Sequence, residues 1–173
     1  MKAEFSRPVR IETLGEGERA IEIAADATEC AALAERFGLL AVDRLEARFA
    51  VRREAGAIAA TGQVTATLVQ ACSVTGDPLP ATVDEEVALR FVDDDAATGD
   101  EIELTDDDLD VIAYDGGAID LGEAAAETMA LALDPFPRGP RAAHALREAG
   151  VIGEEEAGPF GALAGLKDKL AAR

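Results

Sequence analysis

The chain reads as an α+β fold: an antiparallel β meander covered by helices, followed by a flexible C-terminal tail. Three observations carry that expectation. Successive stretches between Leu45 and Phe91 alternate apolar and polar residues at period two. Two other stretches, Ala25 to Phe37 and Leu121 to Leu133, switch to helical spacing with capping residues in front of them. Beyond Gly150 the composition turns to Gly, Glu and Ala, which offers no continuous packing face. With 173 residues, 49% of them hydrophobic, the chain is long enough to bury one core. A single α+β domain over 1–149 and a linker with a tail peptide over 150–173 follow from this.

Glu4 to Ile11 and Arg19 to Ala24 read as two short strands around the turn Gly15-Glu16-Gly17. The next segment is a helix with Asp26 or Thr28 as its cap, a stripe of Ala31, Leu33, Ala34 and Phe37, and Gly38 as its stop. Cys30 lies inside it as a small buried residue. In the first long strand Leu45, Ala47, Phe49 and Val51 face a core, while Arg44, Glu46, Arg48 and Arg52 face water. After a turn at Glu54 to Gly56, Ile58, Ala60, Val64, Ala66 and Leu68 form the inner set of a second strand and Thr61, Gln63, Thr65 and Thr67 its outer set. Val83, Val87, Leu89 and Phe91 do the same for a third, opposite Thr82, Asp84, Glu86 and Arg90. Short connections between them imply antiparallel neighbours. The pattern leaves open whether the meander curls toward a barrel.

Val111, Ile112 and Tyr114 read as a short strand returning to the sheet, with Tyr114 at the edge of the core. The segment AIDLGEAAAETMALALDPFPR from Ala118 is the best-marked helix. Asp120 is its N-cap and Glu123 stands where a capping box places it, both at the positive end of the helix dipole. Asp134-Pro135-Phe136-Pro137 ends it. Arg138 to Ala149 reads as a weaker helix with His144 on its solvated side. The closing residues place Phe160, Leu163 and Leu166 at helical spacing, an amphipathic peptide able to order on a partner.

Charge excludes more than any motif does. The formal net charge is -19, and a polyanion would on average be repelled. Between Phe91 and Pro137 there are fifteen acidic residues and no Lys or Arg. Such a run is a solvated loop or a landing surface for a basic protein. No run reaches the ~18 apolar residues of a membrane span, and the charged start (Lys2, Glu4, Arg7, Arg10) has no apolar stretch behind it, so a cytoplasmic protein is expected. Cys30 and Cys72 are too few for a disulfide framework and too far apart for a paired metal motif. A catalytic Cys72 would need a base, and the one histidine, His144, lies in a different kind of segment.

The order of a long strand pair, the turn ACSVTGDPLP from Ala71, the helix phrase from Ala118 and a terminal PFGALAGLK from Pro159 resembles the YceD family, the large ribosomal RNA subunit accumulation proteins. Cys72, Asp120, Leu121, Glu127, Leu131, Leu133, Pro137, Pro159, Phe160, Leu163, Leu166 and Lys167 stand where that pattern wants them. Many members carry Cys-x-x-Cys in the turn and further Cys or His after the helix, the spacing of a zinc site. Here the second position is Thr75 and no cysteine follows, so neither metal nor cofactor is expected.

The resemblance implies a non-enzymatic factor that supports accumulation of large-subunit (23S) ribosomal RNA. The charge adds a means: Asp93, Asp94, Asp95, Asp106, Asp107 and Asp108 would bind a basic ribosomal protein or assembly intermediate, with no direct contact to nucleic acid. The alternative is a thiol- or carboxylate-dependent hydrolase using Cys72 or the acidic segment, against which exposed Asp runs supply no environment that splits acid from base.

Overall fold

The computed structural model describes residues 3–94 and 110–151. In chain order these form β1 (Pro8–Arg10), a 3-10 turn (Ile11–Thr13), β2 (Arg19–Ala24), α1 (Ala27–Phe37), β3 (Ala41–Glu54), β4 (Ala57–Ala71), β5 (Pro78–Asp93), β6 (Asp110–Tyr114), β7 (Ala118–Asp120), α2 (Leu121–Leu131) and α3 (Ala142–Glu148). The chain divides into two compact units. One is Met1–Gln70 with Pro80–Pro135, and the other is Ala71–Leu79 with Phe136–Arg173.

The first unit holds a sheet in the order β2-β3-β4-β5-β6 and a separate ladder of β1 with β7. Among the described residues the sheet is open, with β2 and β6 as its edges, and the meander does not close into a barrel. Period-two alternation produced the expected sides. Leu45, Ala47, Phe49 and Val51 of β3, Ile58, Ala60, Val64, Ala66 and Leu68 of β4, and Val83, Leu89 and Phe91 of β5 are all buried. α1 and α2 pack on β3 and complete the core with Leu33, Leu121, Ala125 and Met129. The fold is α+β, as its pattern predicts.

Close approach at two glycines sets the packing distances. A Cβ on Gly62 would lie 1.9 Å from the Arg48 carbonyl oxygen, so β4 can run against β3 there only without a side chain. A Cβ on Gly122 would lie 2.6 Å from the Phe5 carbonyl oxygen, where the N-terminal segment crosses the start of α2.

Several expectations needed correction. The two N-terminal strands do not pair with each other. β1 pairs antiparallel with β7, Pro8 opposite Asp120, while β2 pairs with β3. The 3-10 turn at Ile11–Thr13 separates them, and its first N–H donates to Gly117 O at 3.0 Å. β6 returns to the sheet as expected, in a direction the pattern leaves open: it runs parallel to β5, Phe91 opposite Ile112. In α1 the buried set is Cys30, Leu33 and Ala34, with Ala31 exposed. α2 ends at Leu131, because Leu133 N–H turns tightly to Ala130 O at 3.3 Å before Pro135 excludes further helix. Leu131 is consequently 86% exposed. α3 starts only at Ala142, behind Gly139-Pro140.

Both long helices open on an aspartate. Asp26 accepts the N–H of Thr28 and Glu29, and Glu29 returns a bond to Asp26 N–H, a complete capping box. Asp120 accepts Gly122 N–H at 3.0 Å and Glu123 N–H at 3.2 Å. Glu123 does not return the bond; it turns to Arg36. Asp120 instead reaches the N-terminal segment, accepting Arg7 N–H at 2.7 Å and the Ser6 hydroxyl. Asp120→Ala is expected to lower the unfolding free energy by about 2 kcal/mol in urea titrations. Asp120→Asn keeps an acceptor for the N–H groups and should cost roughly half as much.

Candidate functional site

Two places have chemistry beyond packing, one in each unit. In the first unit, β5 runs out at Asp93 and the chain continues through Asp94, whose N–H donates to Tyr114 O at 3.1 Å. Asp93, Asp94, Asp110 and Asp115 are exposed. They flank the ends of β5 and β6, and Tyr114 packs partly against the core, as its sequence position predicts. Asp95, Asp106, Asp107 and Asp108 lie outside the described residues.

The outer face of the sheet is different in charge. Across it Arg48 Nε pairs with Glu22 at 3.3 Å, Arg44 with Glu46, and Gln63 donates to Asp84 at 2.6 Å. A trough lined by Glu22, Glu46, Arg44, Arg48 and Gln63 therefore carries balanced charge. Further pairs tie acids around the helices. Arg7 takes Glu29 through both terminal nitrogens, 2.7 and 2.8 Å, and Arg36 bridges Glu4 and Glu123. Hydrogen bonding to Arg7 holds the Glu29 carboxyl below its usual range against the opposing effect of burial. No sequence signal marks either arginine; the sequence offers Asp26 or Thr28 as the cap of α1, and the structure uses Asp26.

The second unit is built around the turn between β4 and β5. Cys72 N–H donates to Asp77 O and Gly76 N–H to Cys72 O, both at 2.8 Å, and Gly76 takes φ 73°. The strand-to-turn path is pinned to the Pro-rich phrase by Ser73 N–H donating to Pro137 O at 2.8 Å and by Arg141, which grips the Asp77 carboxylate through two nitrogens. Cys72 is 3% exposed. Gly139 N–H donates to its Sγ at 3.4 Å.

The Cys72 thiol is pulled down to about 6, first by the Gly139 N–H, then by Thr75 and by the N–H of Val74. Thr75 has one hydroxyl proton for two anions. It lies 2.7 Å from Asp77 Oδ2 and serves that carboxylate, leaving Cys72 chiefly to backbone donors. Sequence reading anticipated a buried, inert thiol; the burial is there, and the N–H cradle replaces the histidine as the acidifying device. His144 is exposed and pairs with Glu148 at 3.3 Å. Cys30 behaves oppositely, its thiol pushed up by burial. Among the described residues no three metal-capable side chains converge, and Thr75 is engaged with Asp77, so the turn does not fit a zinc ion.

The residues of the signature fall in three groups. Asp120 caps α2, Leu121 is fully buried behind it, and Leu133 packs partly on the core. Glu127 and Leu131 point outward from α2, and Pro137 holds the Cys72 turn. Pro159, Phe160, Leu163, Leu166 and Lys167 lie outside the described residues.

The family described as "Large ribosomal RNA subunit accumulation protein YceD" matches residues 60–167. That is more than half of the chain, and the chain belongs to this family. Neither the comparison with curated proteins nor that with solved structures found a match. The match begins within β4, so β1, β2, α1 and β3 fall before it. The family name links its members to accumulation of large-subunit ribosomal RNA. Among the described residues no helix is long and apolar enough to cross a membrane.

A thiol acidified in the folded state contributes stability that is full above the unfolded-state pKa and is lost as pH falls through the folded value. Cys72 should therefore titrate near 6 when its thiolate absorbance is followed against Cys72→Ser, and the stability of the wild type should decline between about 9 and about 6 more steeply than that of the variant.

Proposed function

We propose that this chain is a non-enzymatic assembly factor of the large ribosomal subunit, acting in the cytoplasm. It supports 23S ribosomal RNA accumulation by holding a basic ribosomal protein, or an assembly intermediate carrying one, on an acidic surface. The observation that carries the reading is charge segregation: fifteen acids and no Lys or Arg between Phe91 and Pro137 in a member of a ribosomal RNA accumulation family. Asp93, Asp94, Asp95, Asp106, Asp107 and Asp108 supply the surface, and the tail from Pro159 is a second contact. Ribosomal proteins owe much of their RNA affinity to Lys and Arg, and an acidic holder competes for the same cations. Such a holder shields the protein from misplaced RNA contacts and yields it when the RNA site is ready. It acts on RNA without touching it, which suits a net charge of -19.

A thiol-dependent reaction at Cys72 is the second reading, and the acidified thiol favours it. Burial at 3% exposure opposes it. Alkylation by iodoacetamide at neutral pH separates the two: rapid labelling of Cys72 in the folded chain would revive the enzyme reading, and labelling only on unfolding would end it.

The adaptor reading is tested with purified large-subunit proteins offered to the immobilised chain at two salt concentrations. The intact chain should retain basic members at low salt and release them as salt rises. A variant with the six aspartates changed to Asn should bind at least about tenfold more weakly. Retention that ignores both salt and the neutral variant would sink the acidic surface as its cause.

A further inference from the structure

We propose that the open edge of β6 takes one extended, Lys- and Arg-rich strand of its protein partner, adding a sixth strand to the sheet; this rests on the acidic-adaptor reading. The carrying observation is the edge itself. Among the described residues β6 is the last strand of the sheet, paired on one side to β5. Tyr114 O accepts Asp94 N–H at 3.1 Å, so the backbone groups of Tyr114 and, by alternation, of Ile112 and Asp110 face β5. Those of Val111 and Ala113 then face outward. Both residues are exposed, Val111 at 48%. A row of outward N–H and C=O groups is a template for another strand, which edges normally suppress with Lys, Pro or a bulge. The sequence of β6, Asp-Val-Ile-Ala-Tyr, has none of the first two.

The acids decide which strand is accepted. Asp110 opens β6 and Asp115 follows it, with Asp94 beside the Tyr114 carbonyl. A cationic strand would set Lys or Arg against them, whereas a second copy pairing antiparallel along this edge would bring like charges together. The register cation is Arg90, opposite Val111 on β5, one strand in from the edge. The β2 edge is a poorer candidate for the same partner. It opens on Arg19, and its Glu22 is already paired with Arg48. Strand addition draws affinity from main-chain hydrogen bonds and selectivity from alternate side chains, so it needs a partner with charge and extended shape but no fixed sequence.

The test uses the full chain and a synthetic peptide of alternating Lys and Val, with a second peptide N-methylated at alternate amides so that it keeps charge and loses strand hydrogen bonds. Binding is followed by fluorescence anisotropy, and amide exchange at Val111 and Ala113 by NMR. The unmodified peptide should bind and slow exchange at both amides about tenfold, and the methylated peptide should bind at least about tenfold more weakly. Ala113→Pro removes an outward N–H and no ladder bond, so it should keep the thermal midpoint and lose the same affinity. Equal, salt-sensitive binding of both peptides without protection at Val111 and Ala113 would overturn edge pairing while leaving the acidic adaptor standing. No binding of either peptide at low salt would remove the adaptor reading itself. A dimer of the chain that Ala113→Pro dissociates would make the occupant a second copy and overturn the proposal.

Discussion

One carboxylate closes the first unit. Asp120 receives the first free N–H groups of α2 and, with its remaining capacity, the backbone of Arg7 and the hydroxyl of Ser6. Four donors on two oxygens satisfy the helix start and join it to a segment more than a hundred residues earlier. The neighbouring contacts depend on that seam. β1 runs alongside β7 because Pro8 lies opposite Asp120, Gly122 lacks a side chain because Phe5 crosses above it, and Phe5 is fully buried as a result. Arg7, placed by the same seam, then extends to Glu29 and links α1 to it.

The ion pairs of the helical side share a logic. Arg36 serves two carboxylates, Glu4 and Glu123, from different parts of the chain, and Arg141 pins Asp77 in the second unit. At about 30% side-chain exposure each Arg36 pair contributes modestly on its own, but one guanidinium held by two acids orders three segments at once. Among the described residues Arg7, Arg10, Arg36, Arg44, Arg48, Arg52 and Arg141 are thus paired with carboxylates of the same chain. The stretch from Phe91 to Pro137 has no Lys or Arg to contribute, and its acids meet only cations that come from elsewhere in the chain or from another molecule.

What could be read from residues alone was local. The strand faces of β3, β4 and β5, the caps at Asp26 and Asp120 and the stop at Gly38 depend on neighbours within a few positions, and they were legible. Partners at long range were not. Nothing in Pro8–Arg10 marks Ala118–Asp120 as its mate, and nothing in Val111 to Tyr114 states that the strand enters parallel to β5. The candidate sites divide in the same way. Acidic segregation is a property of composition, so it was visible at once. The cradle around Cys72 depends on Gly139, sixty-seven residues away, and an N–H donor has no residue-type signature. Leu131 shows a third limit: helical spacing places it on the side of α2 without stating what covers it, and as the last residue of that helix it is exposed.

The ladder of β1 with β7 also sets a timetable. A polypeptide made from its N-terminus presents Pro8–Arg10 long before Ala118–Asp120 exists, so the first residues must wait through the synthesis of β2 to β6 before their mate emerges. During that interval β2, α1, β3 and β4 can already assemble through contacts close in sequence, whereas Phe5 has no pocket to enter. Completion of the first unit is consequently a late event governed by chain length, and a nascent chain interrupted before Asp120 would hold a nearly finished sheet with an unsheltered aromatic at its start.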